Sequence, residues 1–162
     1  MHLLQIAQLL VLMTLANGTP IVAKKVFGPR VSFPLAAGTT FFDGRPLFGK
    51  SKTIRGILFS ILLTTAGAPI LGLDLAIGAR VAIAAMAGDL LSSFLKRRLN
   101  LLSSSQALGL DQVPESLFPM LACRYALSLT IADIALGVAV FFVGELILSR
   151  FLFKVHLRDE PY

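Results

Sequence analysis

The sequence predicts an all-α, polytopic membrane protein of about five transmembrane helices, with its N-terminus outside and its C-terminus cytoplasmic. Three observations carry that expectation. Of 162 residues, 56% are hydrophobic and only 15% charged, and the mean hydropathy is +0.80; soluble chains carry roughly 25% charged residues. A soluble domain this small has too much surface for its volume to hide so many apolar side chains, whereas lipid removes the demand. Hydrophobic stretches near spanning length recur along the chain. Between and after them, 13 of the 15 Lys and Arg residues collect in three zones. A disordered chain, an extracellular disulfide scaffold and an ordinary soluble enzyme are thereby excluded.

The first stretch is Leu3–Ala16, closed by Asn17-Gly18-Thr19-Pro20. Its 14 residues fall short of the roughly 20 needed to span, so it begins at Met1, tilts or seats thinly. No Lys or Arg precedes Lys24. The basic start of a signal peptide is missing, and the stretch is expected to be a retained membrane helix. The second runs Ile54–Leu71, before Gly72. The third runs Leu75–Leu95 and stops at Lys96-Arg97-Arg98. From Glu115 to Phe153 the chain is too long for one crossing, and it divides into Glu115–Leu129 and Ile131–Phe153. Pro114, Pro119, Arg124 and Asp133 make the fourth stretch short and polar. A charge at mid-bilayer costs roughly 2.5–3.5 kcal/mol on insertion scales, so Arg124 and Asp133 are expected to pair or to line a cavity. A four-span alternative leaves Glu115–Leu129 re-entrant.

Charge sets the orientation. Lys24, Lys25, Arg30, Arg45, Lys50, Lys52 and Arg55 lie between the first two spans, in and around a loop at about 21–53. Lys96, Arg97 and Arg98 follow the third, and Arg150, Lys154 and Arg158 end the fifth. Five spans put all three zones on one side, which the positive-inside rule makes cytoplasmic; four would put the tail opposite the loops. The second and third spans are rich in Gly, Ala and Ser, as close helix packing demands.

The net charge of +6 is better matched to anionic headgroups or a phosphorylated substrate than to nucleic acid, for which no motif is visible. Cys123 is the lone cysteine and reads as apolar filler, and His2 and His156, at opposite ends, make no metal site. Polar chemistry gathers in three places. In the loop, Asp43-Gly44 forms a turn, and Gly49-Lys50-Ser51-Lys52-Thr53 leads into the second span with charge and hydroxyls for an anion. The run from Gly44 to Ser51 satisfies the letters of a phosphate-binding P-loop, but no strand or α/β domain surrounds it. At the end of the third span, Asp89, Ser92, Ser93 and Lys96 share one helical face. There Asp89 needs Lys96, another base or a metal ion as its partner. Asp111 and Glu115, four apart, bring the carboxylates on this side to three. Hard oxygen ligands without Cys or His suit Mg²⁺, and carboxylates amid Lys and Arg suit phosphoryl or nucleotidyl transfer.

These residues carry a family resemblance. Asn17-Gly18-Thr19-Pro20 resembles the Asn-x-x-Pro that follows the first helix of CDP-archaeol synthases, a branch related to the CDP-diacylglycerol synthases. Asp43-Gly44 through Lys52-Thr53-Ile54-Arg55-Gly56 resembles their DGxxxxGxxKTxRG element. Gly88-Asp89 through Ser93, Lys96 and Arg97, followed by Asp111-Gln112, resembles GDxxxSxxKR…DQ. Glu115-Ser116 stand near the place of a second Asp in the broader family. The resemblance implies a single catalytic membrane domain in which a lipid phosphate monoester, archaeol-like phosphate or phosphatidate, attacks the α-phosphorus of CTP. Asp89 and Asp111 would hold Mg²⁺, with Glu115 as a weaker third ligand. Lys52, Arg55, Lys96 and Arg97 would offset phosphate charge, Asn17 and Ser93 would orient oxygens, and Gly44, Lys50 and Thr53 would complete the substrate loop. The active site would face the cytoplasm of a cell membrane. Oligomeric state stays open, a homodimer included. A transporter working through Arg124 and Asp133, or a purely structural protein, are the competing classes.

Overall fold

The computed structural model describes residues 1–28, 32–102, 105 and 107–154, without the side chain of Leu152; Arg30, His156 and Arg158 lie outside the described residues. It is an all-helical bundle: α1 Leu3–Phe27, α2 Ile54–Gly67, α3 Leu75–Arg98, α4 Gln112–Cys123 and α5 Ile131–Lys154. A 3₁₀ turn, Pro69–Leu71, extends α2, and Gly72, with φ of 75°, turns the chain into α3. Among the described residues, four helices are long and apolar enough to cross a membrane: Leu3–Phe27, Ile54–Leu71, Leu75–Arg98 and Ile131–Phe151. This is a polytopic membrane protein.

α1 runs through the tetrapeptide expected to close it, so the loop begins at Gly28 rather than near residue 21. Pro20 has no N–H to offer the Ala16 carbonyl four residues back. Ser60 of α2 fills the place, its hydroxyl donating to Ala16 O at 2.7 Å. The proline therefore marks a helix crossing and not a helix end. Gly56 permits the approach, because a Cβ there would lie 3.1 Å from Pro20 Cβ. At the start of α2, the Thr53 hydroxyl accepts from Gly56 N at 3.1 Å, an N-cap. α3 also runs past its expected end, taking Lys96, Arg97 and Arg98 into its last turn. Cations there complement the partial negative charge of the helix terminus.

α4 has 12 residues, about 18 Å at 1.5 Å per residue, too short to span alone. It is short because it starts deep. Gly88, ten residues before the end of α3, lies against Pro114 and Glu115, and a Cβ on it would sit 2.8 Å from Glu115 N. The chain thus folds back from the end of α3 to mid-depth, and α4 completes the return. The start of α5 then meets the start of α1, with His2 Nδ1 2.9 Å from Asp133 Oδ2. Ile6, Leu9, Leu12, Met13, Val81 and Met120 form the core between these helices.

The expected partnership of Arg124 and Asp133 does not form. Asp133 N donates to Thr130 Oγ1 at 3.2 Å, while the Asp133 carboxylate accepts from Thr130 N at 3.0 Å. This reciprocal box caps α5. The same carboxylate receives His2 N at 3.1 Å. Arg124 instead stands over the Tyr125 ring, 5.7 Å from its centroid. Arg124 caps the end of α4 and Asp133 lies in the first turn of α5, so each serves the end of its own helix.

Replacing Ser60 with Ala leaves the Ala16 carbonyl buried without a donor. Thermal unfolding in detergent should show a loss of about 1–3 kcal/mol, and Ser60→Thr should retain more stability than Ser60→Ala.

Candidate functional site

The α3–α4 contact builds the site. Gly88 allows the backbones of the two helices to touch, and the next residue on each, Asp89 and Glu115, come together as a result. The Glu115 carboxyl lies against that of Asp89. Lys52 arrives from the loop and ion-pairs with Asp89. Its charge is also felt by Glu115 and Asp111. Lys96 Nζ sits 2.8 Å from Asp111 Oδ1 and donates to Ser105 O at 2.9 Å. Asp111 Oδ2 accepts from Ala107 N at 2.9 Å. The Asp89 partner is therefore Lys52, from another element, rather than Lys96 within its own helix. Both lysines are mostly buried, so the two ion pairs lie inside the fold.

Lys52 stands outside the helices. Burial works against its charge, but the carboxylates of Asp89, Glu115 and Asp111 outweigh that effect and hold the ammonium above the ordinary lysine range. It stays a cation at any physiological pH.

The loop is laid over this site by α3. Arg98 ion-pairs with Asp43, donates to Pro46 O at 2.6 Å and stands over the Phe41 and Phe94 rings, 5.1 and 4.9 Å from their centroids, the two rings meeting edge to face. Arg45 returns a hydrogen bond to Arg98 O. Gly49 N donates to Ser93 Oγ at 3.2 Å. Among the described residues of the loop, only isolated bridges form, Pro34 with Thr53 and Thr40 with Pro46. The P-loop letters thus sit in no α/β domain. Gly44 has φ of 73° in an exposed turn, and Lys50 is exposed nearby.

Not all the expected residues meet. Lys52, Ser93, Lys96, Asp89, Asp111 and Glu115 gather along the α3–α4 face. Arg55 turns the other way, donating to Gly28 O at 3.2 and 3.3 Å and standing 5.6 Å over Phe27. Thr53 is spent on the α2 cap. Arg97 is buried on the Ser93 side of α3, its Nε without a partner. Asn17 projects both amide atoms into buried space where neither has a partner. Ala16 packs with Ala85 and Met86, which places Asn17 close to the depth of Asp89.

Two residues escaped the sequence reading. Arg98 looked like one of three interfacial bases, and only the fold shows it clamping the loop. Glu145 carries its charge to Glu115 from α5. A signal for it existed: it is an acid inside a span of mean hydropathy 2.3, and an ionisable group in such a place is a functional candidate by default.

Comparison with known proteins decides the family. A family model for CarS-like CDP-archaeol synthases matches residues 69–162, which hold Asp89, Asp111 and Glu115. The chain is 31% identical over 152 residues to the CDP-archaeol synthase of Sulfurisphaera tokodaii, covering 90% of this chain and 83% of that one. The chain belongs to the CDP-archaeol synthase family. Another CDP-archaeol synthase, from Pyrobaculum calidifontis, is 32% identical over 152 residues, 91% of this chain and 90% of that one. A solved structure of an intramembrane enzyme for archaeal membrane lipids biosynthesis superimposes with a TM-score of 0.74, at 28% identity, over 87% of this chain and 90% of that one.

Taking one partner from the Lys52–Asp89 pair leaves an uncompensated buried charge. Lys52→Met should lower stability by about 3 kcal/mol, and adding Asp89→Asn should restore part of the loss. Because the lysine is held protonated, its pair contributes fully below the unfolded lysine pKa of about 10.4 and fades only as pH rises through the higher folded value. Denaturant melts should therefore give the same Lys52 effect at about pH 6 and pH 9.

Proposed function

We propose that this chain is a cytidylyltransferase that joins CTP to a lipid phosphate monoester, releasing pyrophosphate and leaving a CDP-lipid, with an archaeol-type ether lipid as the natural acceptor. Family membership supplies the reaction class. The observation in the fold that carries the reading is the meeting of Lys52 with Asp89, Glu115 and Asp111, which joins the basic loop to the acidic helices at one place.

In the reaction, an ionised oxygen of the lipid phosphate attacks the α-phosphorus of CTP. A new P–O bond forms, the bond from the α-phosphorus to the bridging oxygen breaks, and pyrophosphate departs with that electron pair. No general base is needed, because the attacking phosphate is already an anion near neutral pH. Lys52 and Lys96 are held beside the carboxylates, where they can transfer their charge to incoming phosphates. Arg97 adds a third cation on the Ser93 side, and Arg55 a fourth near the end of α1. Preorganised charge of this kind favours the transition state, in which charge spreads onto the leaving group. Asn17 offers a carboxamide with both atoms available for a headgroup or phosphate oxygen. Ser93 holds the loop through Gly49 N, and Gly44, Lys50 and Thr53 belong to the loop that carries Lys52 to the site.

A divalent metal fits this donor set. All the candidate ligands are hard carboxylate oxygens, and Asp89 and Glu115 in contact are two acids that call for a cation between them. Among the described residues, no three of His, Cys, Asp and Glu form a ready metal cluster as they stand. Mg²⁺ commonly takes one or two carboxylates and completes its shell with water and substrate phosphate. Asp89 and Glu115 would supply that pair, with Asp111 as a further candidate ligand. When bound, the ion would neutralise the triphosphate and polarise the α-phosphoryl group.

The Lys and Arg residues in the last turns of α1, α3 and α5 support a cytoplasmic active site, with the His2 end outside. An impermeant maleimide should accordingly label Lys50→Cys in right-side-out vesicles only after the membrane is opened.

The direct assay uses detergent-purified protein, Mg²⁺, labelled CTP and a panel of ether and ester lipid phosphates, with the product read by mass spectrometry. CDP-lipid should form and chelation of Mg²⁺ should stop it. Asp89→Asn and Asp111→Asn should each lower turnover about 100-fold or more. Full turnover after both replacements would defeat the carboxylate assignment.

A further inference from the structure

A groove of about 810 Å³ runs along the outer face of α1, walled by α2. It extends from Leu10 to Phe27, about 25 Å at 1.5 Å per residue, longer than the roughly 15 Å depth of one hydrocarbon leaflet. Its lining is almost wholly apolar. The two hydroxyls in it are already used, Thr14 donating to Leu10 O and Thr19 to Leu15 O within the helix. Gly18 forms the notch at its middle, and a Cβ built there meets nothing within 4 Å.

One end of the groove is charged and the other is not. At the charged end, the stacked rings of Phe27 and Phe59 close the wall, and Arg55 stands over Phe27. Lys24 and Lys25 occupy the same last turn of α1. Arg55 is also three residues from Lys52, the cation of the α3–α4 site. A long apolar slot ending at a guanidinium beside a nucleotidyl-transfer site has the chemistry of an amphiphile with an anionic head.

We propose that this groove seats one long hydrocarbon chain of the lipid phosphate, with Arg55 receiving its phosphate and presenting it toward Lys52. The assignment rests on the cytidylyltransferase reading above and specifies its acceptor subsite. It also accounts for Arg55 pointing away from the carboxylates: it serves the attacking phosphate, while Lys52 and Lys96 serve the triphosphate.

The test uses the notch. Cys123, the one native cysteine, is fully buried, so Gly18→Cys introduces the reactive thiol. A long-chain lipid phosphate should slow its maleimide labelling at least about fivefold, whereas CTP and the same lipid lacking its phosphate should not. Arg55→Gln should weaken that protection. In turnover, Gly18→Phe should raise KM for the long-chain lipid phosphate about tenfold or more and leave KM for CTP within about twofold. Ile147→Phe, exposed on α5 and away from the groove, is the bulk control and should leave both unchanged. Labelling needs no turnover, so the two proposals separate. Absence of CDP-lipid from the unaltered protein defeats the enzyme reading. Turnover with no protection of Cys at 18 defeats the groove. Equal protection by the phosphate-free lipid means bulk lipid fills it, and labelling blocked without added lipid but relieved by dilution means a second copy covers it; either result overturns the proposal.

Discussion

The arrangement of the candidate site depends on one buried ion pair, Lys52 with Asp89. Asp89 sits nine residues before the end of α3, about 14 Å down the helix. A carboxylate at that depth is costly unless a cation reaches it. The cation comes from outside the helices, so the loop must fold inward and α2 must begin directly beneath it. The Thr53 cap, the Gly49–Ser93 hydrogen bond and the Arg98 clamp all satisfy that geometric demand. They are the means by which a polar loop is drawn over the end of an apolar bundle.

Small residues play the complementary part. Gly88 lets α4 start halfway down α3, and Gly56 lets α2 cross α1 at Pro20. Gly88 brings Asp89 and Glu115 together, and the loop leading into α2 supplies Lys52 as the counter-charge, so the close packing and the ion pair occur at one place. Packing and electrostatics are therefore one arrangement seen from two sides.

The fold was legible in the sequence wherever length and hydropathy decide. α2, α3 and α5 fall where the apolar runs put them, because lipid forces each such run to close its own hydrogen bonds. The α1 boundary was not legible at Asn17–Pro20. A proline reads as a stop locally, and only the distant Ser60 hydroxyl shows why the helix continues. α4 was misplaced for a similar reason, since its start is set by contact with Gly88 and not by its own apolar run. In the site, the acids and bases were identifiable by type and by family pattern, but their pairing was not. Helical spacing made Lys96 the natural neighbour of Asp89, and tertiary structure gave Asp89 to Lys52 and Lys96 to Asp111. Glu145 was visible only as an odd charge in an apolar run until α5 was packed beside α4.

The two lysine–carboxylate pairs have a consequence for how such a protein is made. A newly synthesised chain enters the bilayer before it meets nucleotide, metal or lipid head. By carrying its own counter-charges, it can bring Asp89 and Asp111 into the membrane domain as neutral units and wait there fully folded. The folded membrane domain thus compensates these two charges from within itself, Asp89 by Lys52 and Asp111 by Lys96.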